Sequence, residues 1–138
     1  MIQEFLMNKA KPVKPDLEWS VDYYTGLDRT GTVYYEGGRA AYQNDEAQTR
    51  RPEYMVFIRS SDFSEAEVTA HKLYKLFHMQ TVDELVCVPE LETCYRVYFI
   101  QAVSEPSRLG VSGDVMEYSL NLLITLKEEI NDGGNTTN

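Results

Sequence analysis

His71 and His78, with Glu67 four residues before the first, come nearest to a metal-ligand set in this chain. Two imidazoles and a carboxylate are a known zinc-binding combination. Residues seven apart on a helix, however, stand two turns from each other, roughly 10 Å along the axis, so the imidazoles cannot share one ion. They read as solvated histidines on a charged helix face, and no metal is expected. The acidic pairs Asp83-Glu84 and Glu90/Glu92 could act as general acid and base only if burial or a neighbouring charge split their pKa values. Their sequence surroundings signal neither, so they read as solvated loop carboxylates. Cys87 and Cys94 lie in or beside apolar runs and read as buried reduced thiols. The alternative is a pair facing each other across a hairpin around Pro89 to Glu92. Gly37-Gly38 reads as a strand end rather than a phosphate cradle. No nucleophile elbow, phosphate-binding loop or Cys-His pair at a familiar spacing is present. No catalytic residue and no cofactor are expected, and the profile is not that of an enzyme.

The elements that must carry these residues are legible to different degrees. The run from Met116 to Lys127 alternates: Met116, Tyr118, Leu120, Leu122, Ile124 and Leu126 take one face, and Glu117, Ser119, Asn121, Leu123, Thr125 and Lys127 the other. That is a strand with one buried and one mostly wet face. The preceding stretch, Ser104 to Gly113, holds Pro106, Gly110 and Gly113 and reads as a turn-rich connection. Glu53 to Arg59 is a second strand. A helix over about 64–78 follows, opened by a Ser64/Glu67 capping box with a Phe63/Val68 staple. Its buried stripe is Ala66, Ala70, Leu73, Tyr74 and Phe77. Leu85 to Val88 reads as a short strand. Cys94 to Val103 reads as another, with Tyr95, Val97 and Phe99 opposed to Arg96, Tyr98 and Ile100. Gly31 to Gly37 is a short strand, and Asp16 to Asp28 is compatible with a partly paired edge segment. Ile2 to Ala10 is compatible with a short amphipathic helix bearing Ile2, Phe5 and Leu6, stopped by Pro12 and Pro15. The class is therefore α+β, with a mainly antiparallel β-sheet and one well-defined helix packed on one face. Residues 1–130 form a single domain, and 131–138 a disordered tail.

The segment 38–52 is polar, lacks core periodicity and is longer than the ~2–5 residues of most hairpin loops. It reads either as a surface loop or as an arm that orders against a neighbouring subunit. Interface residues expected there are Tyr42, Asn44, Asp45, Arg50 and Arg51, with the arginines set either to salt-bridge a partner's carboxylates or to serve as an ordinary loop pair.

The chain has 138 residues and a formal charge of -9, with ten Tyr. A net-acidic chain has no general attraction for phosphate backbones, which disfavours sequence-independent DNA binding. Residues 62–92 carry seven carboxylates against two lysines, whereas residues 1–14 carry three lysines against Glu4. No apolar run is long enough to cross a bilayer, and MIQEFLMNKAKPVK is unlike a signal peptide, so a cytosolic, membrane-free protein is expected.

Two segments also carry a resemblance. Ser104-Glu105-Pro106, then Leu109-Gly110, a Gly113-Asp114 turn and Glu117-Tyr118-Ser119-Leu120-Asn121 with its alternating strand, form one. Tyr54 to His78 forms the other: a strand ending in Arg59, a polar turn, and a helix closing on Leu76-Phe77 before His78. In order and spacing they resemble the tail terminator proteins of long-tailed bacteriophages, also labelled minor capsid or tail completion proteins. Such proteins begin with a longer helix than Ile2 to Ala10. The resemblance implies a structural virion protein forming a homo-oligomeric ring, a hexamer. That ring caps the tail tube protein and presents a surface to the head-tail connector protein, while DNA passes through without specific binding. It also implies a place in the virion tail or neck, and in the host cytoplasm during assembly. The alternatives are a head completion or connector protein of the neck, or a small ligand-binding or hydrolytic α+β domain.

Overall fold

The computed structural model describes residues 1–38 and 49–129, and its organising element is the alternating run read above. That run is a 15-residue strand, Val115–Glu129, designated β8 in chain order below. Its even-numbered residues from Met116 to Leu126 are all buried. At ~3.4 Å per residue the strand spans about 50 Å, too long for any one neighbour to match. Each edge therefore takes two neighbours in line. On one edge, β4 (Glu53–Ser60) pairs with residues 116–123 and the two-residue β3 (Thr49–Arg50) with Leu126 and Lys127. On the other, β6 (Thr93–Ala102) pairs with residues 122–129 and β7 (Ser107–Ser112) with 115–119.

Outside these lie β2 (Thr30–Gly37) on β4 and β5 (Gln80–Val88) on β6, both antiparallel. β1 (Glu18–Val21) closes the far edge parallel to β2, giving the order β1-β2-β4-β8-β6-β5. The chain is α+β with a mixed, mainly antiparallel sheet. The β1–β2 edge is held close by Trp19. Its ring lies where a Cβ on Gly31 would come within 2.5 Å, and its indole N–H donates to the Lys14 carbonyl at 2.9 Å.

Both helices cover the face that carries the even residues of β8. α1 (Ile2–Ala10) buries Ile2, Leu6 and Ala10 and sits over β1 and β2; α2 (Phe63–Phe77) lies across β8, β4 and β6. The buried stripe of α2 is Ala66, Thr69, Ala70, Leu73 and Phe77. Tyr74 is half-buried and stacks on His78 with ring centres 4.9 Å apart.

Several local expectations are corrected. The N-cap of α2 is Asp62, whose carboxylate accepts from the Glu65 N–H at 3.1 Å, not Ser64. Phe63 and Val68 are both exposed, so no staple forms. In β6 a bulge between Val97 and Phe99 shifts the register. Tyr95 and Val97 before it, and Ile100 and Ala102 after it, therefore share the helix-side face, as extra residues in a strand reverse its alternation. Strand β5 begins at Gln80, well before Leu85, because pairing with β6 recruits polar residues that show no apolar alternation. Ser107–Ser112 is not a connection but a strand that forms a hairpin with the start of β8, turning at Gly113 with φ +65°. Within 38–52, Thr49 and Arg50 belong to the sheet, while Tyr42, Asn44 and Asp45, like the 131–138 tail, lie outside the described residues.

Candidate functional site

Three tyrosines from three different strands converge at the end of the sheet where β8 finishes. Tyr35 and Tyr54 sit opposite each other in the β2–β4 register, with ring centres 5.3 Å apart. Tyr95 comes from β6, and the Arg50 guanidinium lies over its ring at 5.5 Å. These residues, with Ile2 at the start of α1, Val88 and Leu126, line an open cavity of about 570 Å3. The single turn after β5, Pro89–Leu91, contributes Glu90 and the exposed Leu91 to its rim. Burial, and then the nearby Tyr35 and Tyr95 phenols, hold the Tyr54 hydroxyl well above the ordinary tyrosine range, so it remains a neutral O–H. Arg50, expected in a loop or arm, lies in β3 and stands 3.8 Å from Glu128 of its own chain; Arg51 is exposed. Of the two expected interface residues that are described, Arg50 lines this cavity and Arg51 does not.

The opposite end of the sheet is polar. Glu65, in the first turn of α2, accepts two hydrogen bonds from Arg29 at 2.9 and 2.7 Å and one from the Ser60 hydroxyl at 2.7 Å. Lys14 stands 3.2 Å away, and Arg29 also reaches Asp16. This network ties the helix start to the segment between α1 and β2. Arg29 beside it, aided by Ser60 and Lys14 and opposed by burial, pulls the Glu65 carboxyl down to about 2. A carboxylate with a depressed folded-state pKa contributes stability that is complete above its unfolded value and is lost as pH falls through the folded one. The unfolding free energy is therefore expected to decline from about pH 5 towards pH 2. Glu65→Gln should flatten part of that decline, as read from urea midpoints at pH 7 and pH 3. Equal acid sensitivity in both proteins would show that Glu65 is not the group responsible.

Cys87 and Cys94 form a disulfide, which replaces the expected pair of reduced thiols. The tight turn, with Glu92 in the left-handed region at φ 51°, fixes a register in which the two cysteines face each other directly, Cα to Cα 3.9 Å. Closing so short a loop restricts the unfolded chain by about 2 kcal/mol in the chain-entropy account. Cys87→Ser with Cys94→Ser is expected to lower stability by about that amount. Iodoacetamide should label neither cysteine of the native protein until a reductant is added, a result mass spectrometry reads directly. Labelling without reductant would exclude the bridge.

His78 is not a freely solvated side chain, since its Nδ1 accepts from the Ala102 N–H at 3.0 Å. Among the described residues no cluster of His, Cys, Asp and Glu could hold a metal ion.

Two surfaces remain uncovered by helices among the described residues. The β7–β8 hairpin and its approach hold Val103, Leu109 and Val111, each half exposed or more. The sheet face opposite the helices shows half-buried Met55, Phe57, Phe99 and Leu123. The tyrosine cluster escaped sequence reasoning, although Tyr35 and Tyr54 both fall on the core-facing phase of their strands. Only the strand order brings them together. No protein family matches the sequence, and no curated protein is significantly similar to it.

Proposed function

We propose that this chain is a structural assembly protein, a phage tail terminator whose copies close into a ring. That ring caps the tail tube and joins it to the head connector. The observation that carries the reading is the β7–β8 hairpin, built from the Ser104–Glu129 segment on which the resemblance rests. It presents Leu109 and Val111 at 55% and 50% exposure with no helix beneath them among the described residues. Exposed contiguous apolar surface marks an interaction site. A projecting patch that docks on a different surface of the next copy makes a head-to-tail contact, which closes into a ring when the rotation fits. The second resembling segment, Tyr54 to His78, forms β4 and α2 and supplies much of the core. The net charge of -9 suits a passage through which DNA slides without adhering.

Light scattering across a concentration series, alone and with tail tube protein, tests the reading. A six-fold mass, alone or only with tube, supports it. In that case Leu109→Asp with Val111→Asp should leave a folded monomer that no longer assembles. A monomer that ignores the tube but binds portal-side protein would favour a neck connector instead. The open cavity at the tyrosine cluster favours a second reading, a ligand-binding domain, which a monomer indifferent to both proteins would bring forward.

A further inference from the structure

We infer that the cavity beside α1 binds a small amphipathic anion, an apolar body bearing one carboxylate or sulfonate group, with its charge seated on Arg50. The inference is independent of the ring. The cavity's volume, about 570 Å3, falls within the ~300–1,000 Å3 of small-molecule sites. Its walls supply what an apolar body needs: the side chains of Ile2, Val88 and Leu126 and the faces of Tyr35, Tyr54 and Tyr95. Tyrosine rings offer large, rigid contact area, and the Tyr35–Tyr54 pair is already packed in a tilted arrangement, so little ordering is required on binding.

Arg50 supplies the specificity. Its backbone is fixed in the sheet opposite Leu126, and its guanidinium rests on Tyr95, so the charge is held at the cavity wall. Among the described residues its carboxylate contact, Glu128 at 3.8 Å, is too long for a hydrogen bond. A planar fork with five donors matches a carboxylate or sulfonate in two-point contact. Glu90 on the rim sets the upper limit on ligand charge: it repels polyanions such as nucleotides while leaving room for one negative group at Arg50.

The probes are 8-anilinonaphthalene-1-sulfonate, an aromatic body with one anionic group, and N-phenyl-1-naphthylamine, nearly the same body without charge. Each is titrated into the full chain, with near-UV circular dichroism confirming that the fold is intact. Both should give saturable fluorescence at one site per chain. Arg50→Gln should weaken the sulfonate about tenfold or more and leave the neutral amine within about twofold. Tyr35→Ala, at a half-exposed position, should weaken both. Absence of saturable binding by either probe would overturn the site. Equal effects of Arg50→Gln on the two probes would overturn the role given to the guanidinium.

Discussion

Leu73→Ala is expected to lower the free energy of unfolding by ~2–5 kcal/mol, the range for truncating a buried leucine. Leu73 has no exposed surface and lies in the middle of the α2 stripe, between Ala70 and Phe77. The helix lies across β8, β4 and β6, so the lost methyl groups leave a void between a rigid helix and the sheet it covers. Such a site cannot collapse easily, which places the cost towards the upper part of the range. The matched control is Leu76→Ala on the same helix, where the side chain is 38% exposed. Its cost should stay near the ~0.5 kcal/mol typical of surface changes, apart from a small propensity gain for alanine. Urea denaturation of the three proteins measures both values. A Leu73 loss below about 0.5 kcal/mol would mean that α2 does not pack as described.

The same helix shows how far sequence carries and where it stops. Its stripe is legible because Ala66, Ala70, Leu73 and Phe77 recur at the helical period, and burial follows that period closely. Its start is not legible to the residue. Ser61, Asp62 and Ser64 are all acceptable caps, and the choice depends on where the preceding strand lets go. Strand β4 stays paired with β8 as far as Ser60 opposite Met116, so the chain turns early and Asp62 takes the cap. Similarly, β8 reads cleanly because one of its faces is buried along nearly its whole length. The bulge in β6 has no glycine or proline to announce it, since it arises from fitting one strand to a twisted neighbour.

The candidate sites were less visible for a related reason. Tyr35, Tyr54 and Tyr95 lie on β2, β4 and β6, which are adjacent or nearly so in the sheet but scattered along the chain. Nothing local to any one of them specifies the other two. Cys87 and Cys94 are closer in sequence, yet their pairing depends on register, and a shift of one residue would point them to opposite faces. The turn Pro89 to Glu92 sets that register, so turn geometry rather than cysteine spacing decides the bridge.

Arg59→Ala is the second change with a large expected effect, and its comparison with a double substitution is the more informative test. Arg59 and Glu117 face each other in the β4–β8 register, with Nε donating to Oε2 at 2.8 Å. Their side chains are only 6% and 17% exposed, unlike Lys9–Glu84 or Arg96–Asp83 at the surface. Arg59 Nη1 also donates to the Leu27 carbonyl, and the Tyr24 ring lies 5.1 Å from the guanidinium. One residue therefore fastens the 22–29 loop to the sheet centre. Removing it strands the Glu117 carboxylate in a shielded place and releases that loop. A cost of ~3–5 kcal/mol is expected, as for other broken buried pairs. Arg59→Met combined with Glu117→Leu removes both charges and fills the space with apolar atoms, so it should cost far less than either single change. The inequality follows from desolvation: a shielded charge without its partner is costlier than no charge at all. If the single and double variants instead lose stability additively, the pair is screened by solvent and Arg59 acts mainly through Leu27 and Tyr24.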